Sequence, residues 1–297
     1  GAMASLLMSC AVGKKYTRTD LQIPETYKES MQVTGDTVIL PWKTFFKDPK
    51  LIGLIDKALS RNNEVNVALK NIEQLDLIYK QAKLGLMPTL DLTAGANRSW
   101  ASTNTLNGSL NEQFVGTKYM DDFSAALRLS WEVDIWGKAK MQKESAAAEY
   151  FGQKENLNAI KSRIVVQVAQ AYYNLISLDE QLKIAEQNIE LSDNTLKMMN
   201  LQFAAGQINS LAVQQSEAQK KTAELLIPLA KQNISIQENA LSILCGEYPD
   251  KVEREGNLKT MIPENKLSEG LPAQLLSRRP DLKMAEFNVI SLNSKTG

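Results

Sequence analysis

Cys10 and Cys245 are the two thiols of a 297-residue chain that contains no histidine. A thiol can attack a substrate, hold a metal or carry a lipid. Without histidine the commonest general base, the commonest metal ligand and the usual triad member are all missing. The two cysteines lie far apart, fit no metal-ligand spacing, and no glycine-rich phosphate loop occurs. The regularly spaced charges are Asp122, Arg128, Glu132 and Asp134, set among Phe123, Ala125, Leu127, Leu129, Trp131, Val133 and Ile135. Alternation with period two places charges and apolar groups on opposite faces of a strand. Charges spread along one strand face do not make a catalytic cluster. The chain is therefore expected to be no enzyme, with no cofactor and no metal.

The elements around these residues follow from spacing. Segment 122–136 is long enough for a tilted strand crossing a membrane, which needs roughly 9 to 11 residues in the hydrocarbon. An earlier segment also alternates, with Leu90, Leu92, Ala94 and Ala96 on one face. Residues 102–119 between them are rich in Asn, Thr, Ser and Gly and are expected to be a loop. The pair is predicted to form an antiparallel hairpin. No apolar run approaches the roughly 18 residues of a spanning helix, so membrane crossing would be by strands.

Helical patterns flank the hairpin. One runs from about Leu51 to Met87 and stops at Pro88. A longer one runs from Gly137 to about Ala204. In it Val168, Leu175, Leu182, Ile189, Leu196 and Phe203 recur at sevens, with Ile164, Ala171, Leu178, Ala185, Ser192 and Met199 as companions. A heptad sustained this long predicts coiled-coil packing. Residues 205–211 break the pattern: Gly206 suits a helix C-terminus, and Asn209 or Ser210 an N-cap. A third helix is expected from about Leu211 to Leu244, kinked by Pro228. At about 1.5 Å per residue, helix 137–204 is on the order of 100 Å long, and the two shorter helices end to end match it. The fold class is thus mainly α with a β-hairpin: a long coiled-coil-like helical hairpin plus two membrane strands.

The organisation expected is a tag, lipobox remnant and extended segment over 1–50, a helix over 51–87, and the hairpin over 88–136. The long helical hairpin covers 137–244, a linker 245–270, and the start of a second copy 271–297. That second copy is read from Leu59, Ser60, Arg61, Ala68 and Asn71, which recur as Leu276, Ser277, Arg278, Ala285 and Asn288. The balance of 34 basic and 34 acidic residues gives no footprint for nucleic acid. Gly1, Ala2, Met3 and Ala4 are set aside as a cloning remnant. Leu7, Ser9 and Cys10 resemble the lipobox of bacterial lipoproteins, which would make Cys10 an acylation site.

Several stretches together resemble the TolC-like outer membrane efflux proteins, in the lipoprotein branch that serves resistance-nodulation-division pumps (NodT-type systems). They are residues 10–16, 42–51, 129–137 (Leu-Ser-Trp-Glu-Val-Asp-Ile-Trp-Gly), 170–175, 203–206 and 275–282 (Leu-Leu-Ser-Arg-Arg-Pro-Asp-Leu). The resemblance implies a passive export duct for drugs or other small molecules across periplasm and outer membrane, in a tripartite efflux pump. It implies a homotrimer for the full-length protein, a lipid-anchored place in the outer membrane, and as partners a periplasmic adaptor protein, an inner-membrane pump and outer-membrane lipid. On this pattern Phe123, Leu127, Leu129 and Trp131 face lipid, and Arg128, Glu132 and Asp134 face the water-filled lumen. Gly206, Gln207, Asn209, Ser210 and Leu211 form the adaptor-docking tip; Ala212 stands where the family often has an acidic residue. Cys245 matches a family leucine and is expected to pack as a small apolar group. If the chain ends at Gly297, three copies would bring six strands, fewer than the roughly 8 of the smallest outer-membrane barrels. The alternative function is a soluble coiled-coil structural or adaptor module binding a partner through its helical tip.

Overall fold

The computed structural model describes residues 16–19, 42–102, 104–255 and 276–296. Cys10 and the lipobox expected around it, most of the extended N-terminal segment, and much of the expected linker lie outside these residues.

After the short helix α1 (Trp42–Phe45), α2 (Pro49–Arg61) and α3 (Asn63–Leu84) occupy the span expected to be one helix. Asp48 caps α2 by accepting the N–H groups of Lys50 and Leu51, and Pro49 supplies a preset first-turn φ. The division falls at Asn62. Its Oδ1 accepts the N–H of Glu64 at 2.8 Å, starting α3, while its Nδ2 donates to the carbonyl of Leu244 at 2.9 Å. α3 ends three residues before the expected Met87. Leu86 and Met87 close tight turns onto Lys83 and Leu84, because the residue preceding Pro88 is driven out of the helical region.

Strands β1 (Thr89–Ser99) and β2 (Met120–Ser130) pair antiparallel throughout. The loop between them is not irregular: it holds helix α4 (Leu106–Val115), whose Leu106, Leu110 and Phe114 recur every four residues. β2 ends at Ser130, six residues before the expected Trp136. The long helix α5 (Lys138–Ala204) follows, then α6 (Ser210–Glu224), α7 (Leu226–Leu244) and α8 (Pro280–Thr296). α6 and α7 take the place of the single kinked helix. Pro228 has no N–H to offer the carbonyl of Glu224, four residues back, and the helix breaks there.

The described residues fall into two compact units. One contains the hairpin, the end of α3, the start of α5 and the end of α8. Its buried polar contact is a relay in which the Ser145 hydroxyl meets that of Ser291 at 3.0 Å, and Ser291 donates to Glu149 at 2.9 Å. Lys295 pairs with the same carboxylate at 2.6 Å and, with Ser291, holds it below the ordinary carboxylate range.

The second unit carries the apolar core. Leu51, Ile55 and Ala58 of α2 and Val65 and Ala68 of α3 pack with Ile164, Val168, Tyr172 and Leu175 of α5, and with Leu241 and Cys245. The spacings of three, four and seven that made these positions visible in the sequence are those of one helical face. Cys245 is fully buried, as its apolar role required, and burial pushes its thiol up to about 11. Tyr172, the largest buried side chain, donates its hydroxyl to Asp48 at 2.6 Å. Further along α5 the heptad positions Leu182, Ala185, Ile189, Ser192, Leu196 and Met199 are covered to varying degrees. Lys220 of α6 reaches back across the turn to Asp193, showing that α6 returns alongside α5.

Candidate functional site

The hairpin register pairs like with like. Leu90 faces Leu129, Leu92 faces Leu127, Ala94 faces Ala125 and Ala96 faces Phe123. One side of the ribbon is therefore apolar across both strands. The other side pairs Asp91 with Arg128, Thr93 with Ala126, Gly95 with Ser124 and Asn97 with Asp122. Every residue of both strands is exposed, with Leu92 at 75% and Phe123 at 78%. A two-stranded ribbon bare on both faces is at best marginally stable in water, and its outer edges offer unpaired backbone groups. At the loop end Arg98 makes a two-pronged pair with Asp121, at 2.6 and 2.7 Å, and lies over the Tyr119 ring.

Four predicted strand residues are in place: Phe123, Leu127 and Leu129 on the apolar side and Arg128 on the polar side. Trp131, Glu132 and Asp134 are not; they lie beyond the end of β2, so their assignment to a strand is corrected. Asp134 has a different task. Its carboxylate accepts the N–H groups of Ala139 at 3.1 Å and Lys140 at 2.8 Å, the first-turn donors of α5. Gly137 sits at φ +78°, a conformation glycine adopts freely, and has no side chain to cap the helix itself. The ladder ends at Ser130 because the register would set Pro88, which has no N–H to donate, opposite Trp131. Trp131 is fixed as well: its indole N–H donates to the carbonyl of Leu86 at 3.4 Å.

The turn at 205–211 is built by two residues from the expected docking set. Gly206, at φ +72°, closes α5: its N–H bonds Phe203 and the Gln207 N–H bonds Gln202, a Schellman arrangement. Asn209 opens α6 by accepting the Ala212 N–H at 3.1 Å. These contacts leave Leu211 57% exposed and Gln207 and Ser210 at the surface, so the structure brings the five residues together at one tip. Just behind it, Lys220 and then Lys197 hold the Asp193 carboxyl below its ordinary range.

One cluster was not foreseen. Arg254 is almost buried and pairs with Asp179 of α5 and Glu238 of α7, while donating to the Val252 carbonyl at 2.9 Å. The Asp179 hydrogen bond, aided by Glu238, holds its guanidinium charged. Residues 251–255 are thereby fastened to both helices. Nothing in the local sequence marked Arg254, because its partners are 75 and 16 residues away. Among the described residues, no group of acidic side chains and cysteines is arranged to hold a metal ion, and no helix is long and apolar enough to cross a membrane.

Residues 54–247 match the family model described as outer membrane efflux protein. The chain is 26% identical over 98% of its length to a probable outer membrane lipoprotein, SilC, of Salmonella typhimurium, and covers 62% of that protein. It is 28% identical over 86% of its length to a solvent efflux pump outer membrane protein, SrpC, of Pseudomonas putida, covering 53% of it. Its fold matches 62% of the solved open-state MtrE outer membrane channel of Neisseria gonorrhoeae, with a TM-score of 0.78, 24% identity and 96% of this chain aligned. The chain thus spans less than the full length of each relative, and the fold it shares with them is that of a TolC-like channel protomer.

Proposed function

The chain belongs to the outer membrane efflux protein family, and from that premise we propose that it builds the wall of a passive export duct through which an efflux system discharges small molecules across the outer membrane. The observation that carries this reading is the register of the hairpin, which joins Leu90, Leu92, Ala94 and Ala96 to Leu129, Leu127, Ala125 and Phe123 in one exposed apolar face. Lipid is the solvent that face suits, and the polar face, with Arg128 beside Asp91, suits a water-filled lumen. The open strand edges would be closed by neighbouring strands.

Assembly is supported by apolar residues left bare at helical spacing: Ile184, Leu191 and Met198 on α5 and Leu229, Ile236 and Ile243 on α7 recur at sevens. Such stripes suit packing against further helices in a trimeric tunnel. The tip residues Gln207, Ser210 and Leu211 would meet a periplasmic adaptor, with Gly206 and Asn209 shaping the turn beneath them, and an inner-membrane pump would supply the energy. Cys10 would carry the lipid anchor. A soluble adaptor module is disfavoured because it would have no use for a ribbon that is bare and apolar on one face.

In the whole protein, L127R/L129R should block outer-membrane assembly, since a cation at the lipid midplane costs about 2 to 4 kcal/mol. Recovery of the double variant in the outer membrane at the normal level would overturn the face assignment. Palmitate labelling that survives Cys10→Ala would remove the anchor from the scheme.

A further inference from the structure

The apolar alternation of β2 outlives the strand. Trp131, Val133, Ile135 and Trp136 follow the end of the ladder, and all four are more than half exposed. They are not loosely held. The indole of Trp131 is tied to the Leu86 carbonyl at one end, and Asp134 is tied to the α5 N-terminus at the other. The segment, tied at these two points, presents four large apolar side chains, two of them indoles, with an exposed Met87 at the neighbouring strand start. Two indoles beside aliphatic groups are the composition of the water–hydrocarbon boundary.

Two exposed lysines follow at once. Lys138 and Lys140 stand in the first turn of α5, which contains no acidic residue. Cations at the positive end of a helix are unfavourable, so this turn breaks a local rule and gains nothing from it inside the chain. Neither lysine has an ion-pair partner among the described residues. The exposed Glu132 lies on the opposite alternation from Trp131 and Val133. The loop end of the ribbon differs: there Arg98 is already neutralised by Asp121. Two lysines without an ion-pair partner among the described residues therefore sit at the α5 end of the apolar face, with Glu132 on the opposite alternation and the Asp134 carboxylate turned onto the α5 backbone.

We propose that Trp131–Lys140 is an anchor for anionic phospholipid, in which the apolar side chains enter the acyl boundary of the periplasmic leaflet and Lys138 and Lys140 bind lipid phosphates. The anchor rests on the lipid-facing reading of the hairpin given above. Continuity of the apolar residues with that face, and the complementary charge beside them, single out a bilayer surface over a protein partner. It would fix the height of the strands in the membrane at the point where strand becomes helix.

The test is vesicle flotation of the full chain, on phosphatidylcholine alone and with roughly a third of it replaced by phosphatidylglycerol. The wild-type chain should bind both, the anionic vesicles more tightly. K138Q/K140Q should lose that preference, by about fivefold per lysine, and keep its binding to phosphatidylcholine. In W42F/W100F, which leaves Trp131 and Trp136 as the indoles, lipids brominated near the glycerol end should quench emission more than lipids brominated near the methyl end. An unchanged anionic preference in K138Q/K140Q overturns the anchor. So does a loss of self-association in place of the preference, which would assign the lysines to a protein contact. In either case the hairpin reading survives if L127R/L129R still abolishes flotation. Failure of the wild-type chain to float with either vesicle would overturn the hairpin reading itself.

Discussion

The Asp134 carboxylate is hydrogen-bonded to the backbone of Lys140, six residues on, at 2.8 Å. This side chain, four residues past the end of β2, begins the long helix α5. Asp134→Ala should cost about 1 kcal/mol, the usual worth of a cap, while Asp134→Asn retains most of it. Hydrogen exchange at the Ala139 and Lys140 amides should quicken in the alanine variant. Unchanged exchange there would mean that the cap contributes nothing.

Gly206 and Gly246 share a left-handed backbone, at φ +72° and +67°, in unlike surroundings. A Cβ on Gly206 meets nothing within 4 Å, whereas one on Gly246 would lie 2.6 Å from the Arg61 carbonyl oxygen. Gly206→Ala should cost about 1 to 2 kcal/mol from backbone strain alone. Gly246→Ala should cost distinctly more, because backbone must also move. Denaturant midpoints of the two variants, compared side by side, test the order.

Arg254 neutralises two carboxylates that belong to different helices. Arg254→Ala leaves the almost buried Glu238 without its partner, and should destabilise the chain by about 2 kcal/mol or more. Arg254→Lys should rescue little, since a point charge cannot reproduce the two-pronged grip on Asp179. Thermal unfolding distinguishes this from a surface pair, whose loss would be worth about 0 to 1 kcal/mol.

The buried thiol of Cys245 predicts an alkaline weakness. Its folded value, about 11, lies above the ordinary thiol value of about 8.5. Over that window the unfolded chain loses a proton that the folded chain keeps. Stability is therefore intact below the lower value and falls as pH rises through the window, by at most about 1.4 kcal/mol per unit. The Tyr172 hydroxyl, raised by burial and by Asp48, adds a loss of the same sign above about 10. Cys245→Ala should start less stable and show a flatter decline between these pH values. A decline as steep as that of the parent chain would shift the cause elsewhere.

Much of the architecture was legible because it is periodic. Seven-residue spacing from Ile164 to Met199 announced a long helix with one covered face, and alternation announced two strands, each with one apolar side, while the register that matches those sides came from the structure. Pro88, Pro228, Gly206 and Asn209 act through their own covalent structure, so each break they impose could be read in place. Helix α4 was hidden because its few apolar residues sit in a polar stretch that looks like a loop. The division at Asn62 was hidden for another reason: its side chain answers to Leu244, far along the chain.

The sequence alone therefore determined the kinds of element, their order, the apolar face of the hairpin and the position of the tip. These depend on neighbours within a turn or a strand, where spacing is geometry. Only the tertiary structure decided where β2 stops, that Asp134 serves α5 rather than a strand face, and that Arg254 fastens residues 251–255 to α5 and α7. The strand end depends on the register, which sets Pro88 beyond the last pair; the Asp134 cap depends on the backbone turn at Gly137; and the Arg254 contacts depend on carboxylates far along the chain, which no local pattern encodes.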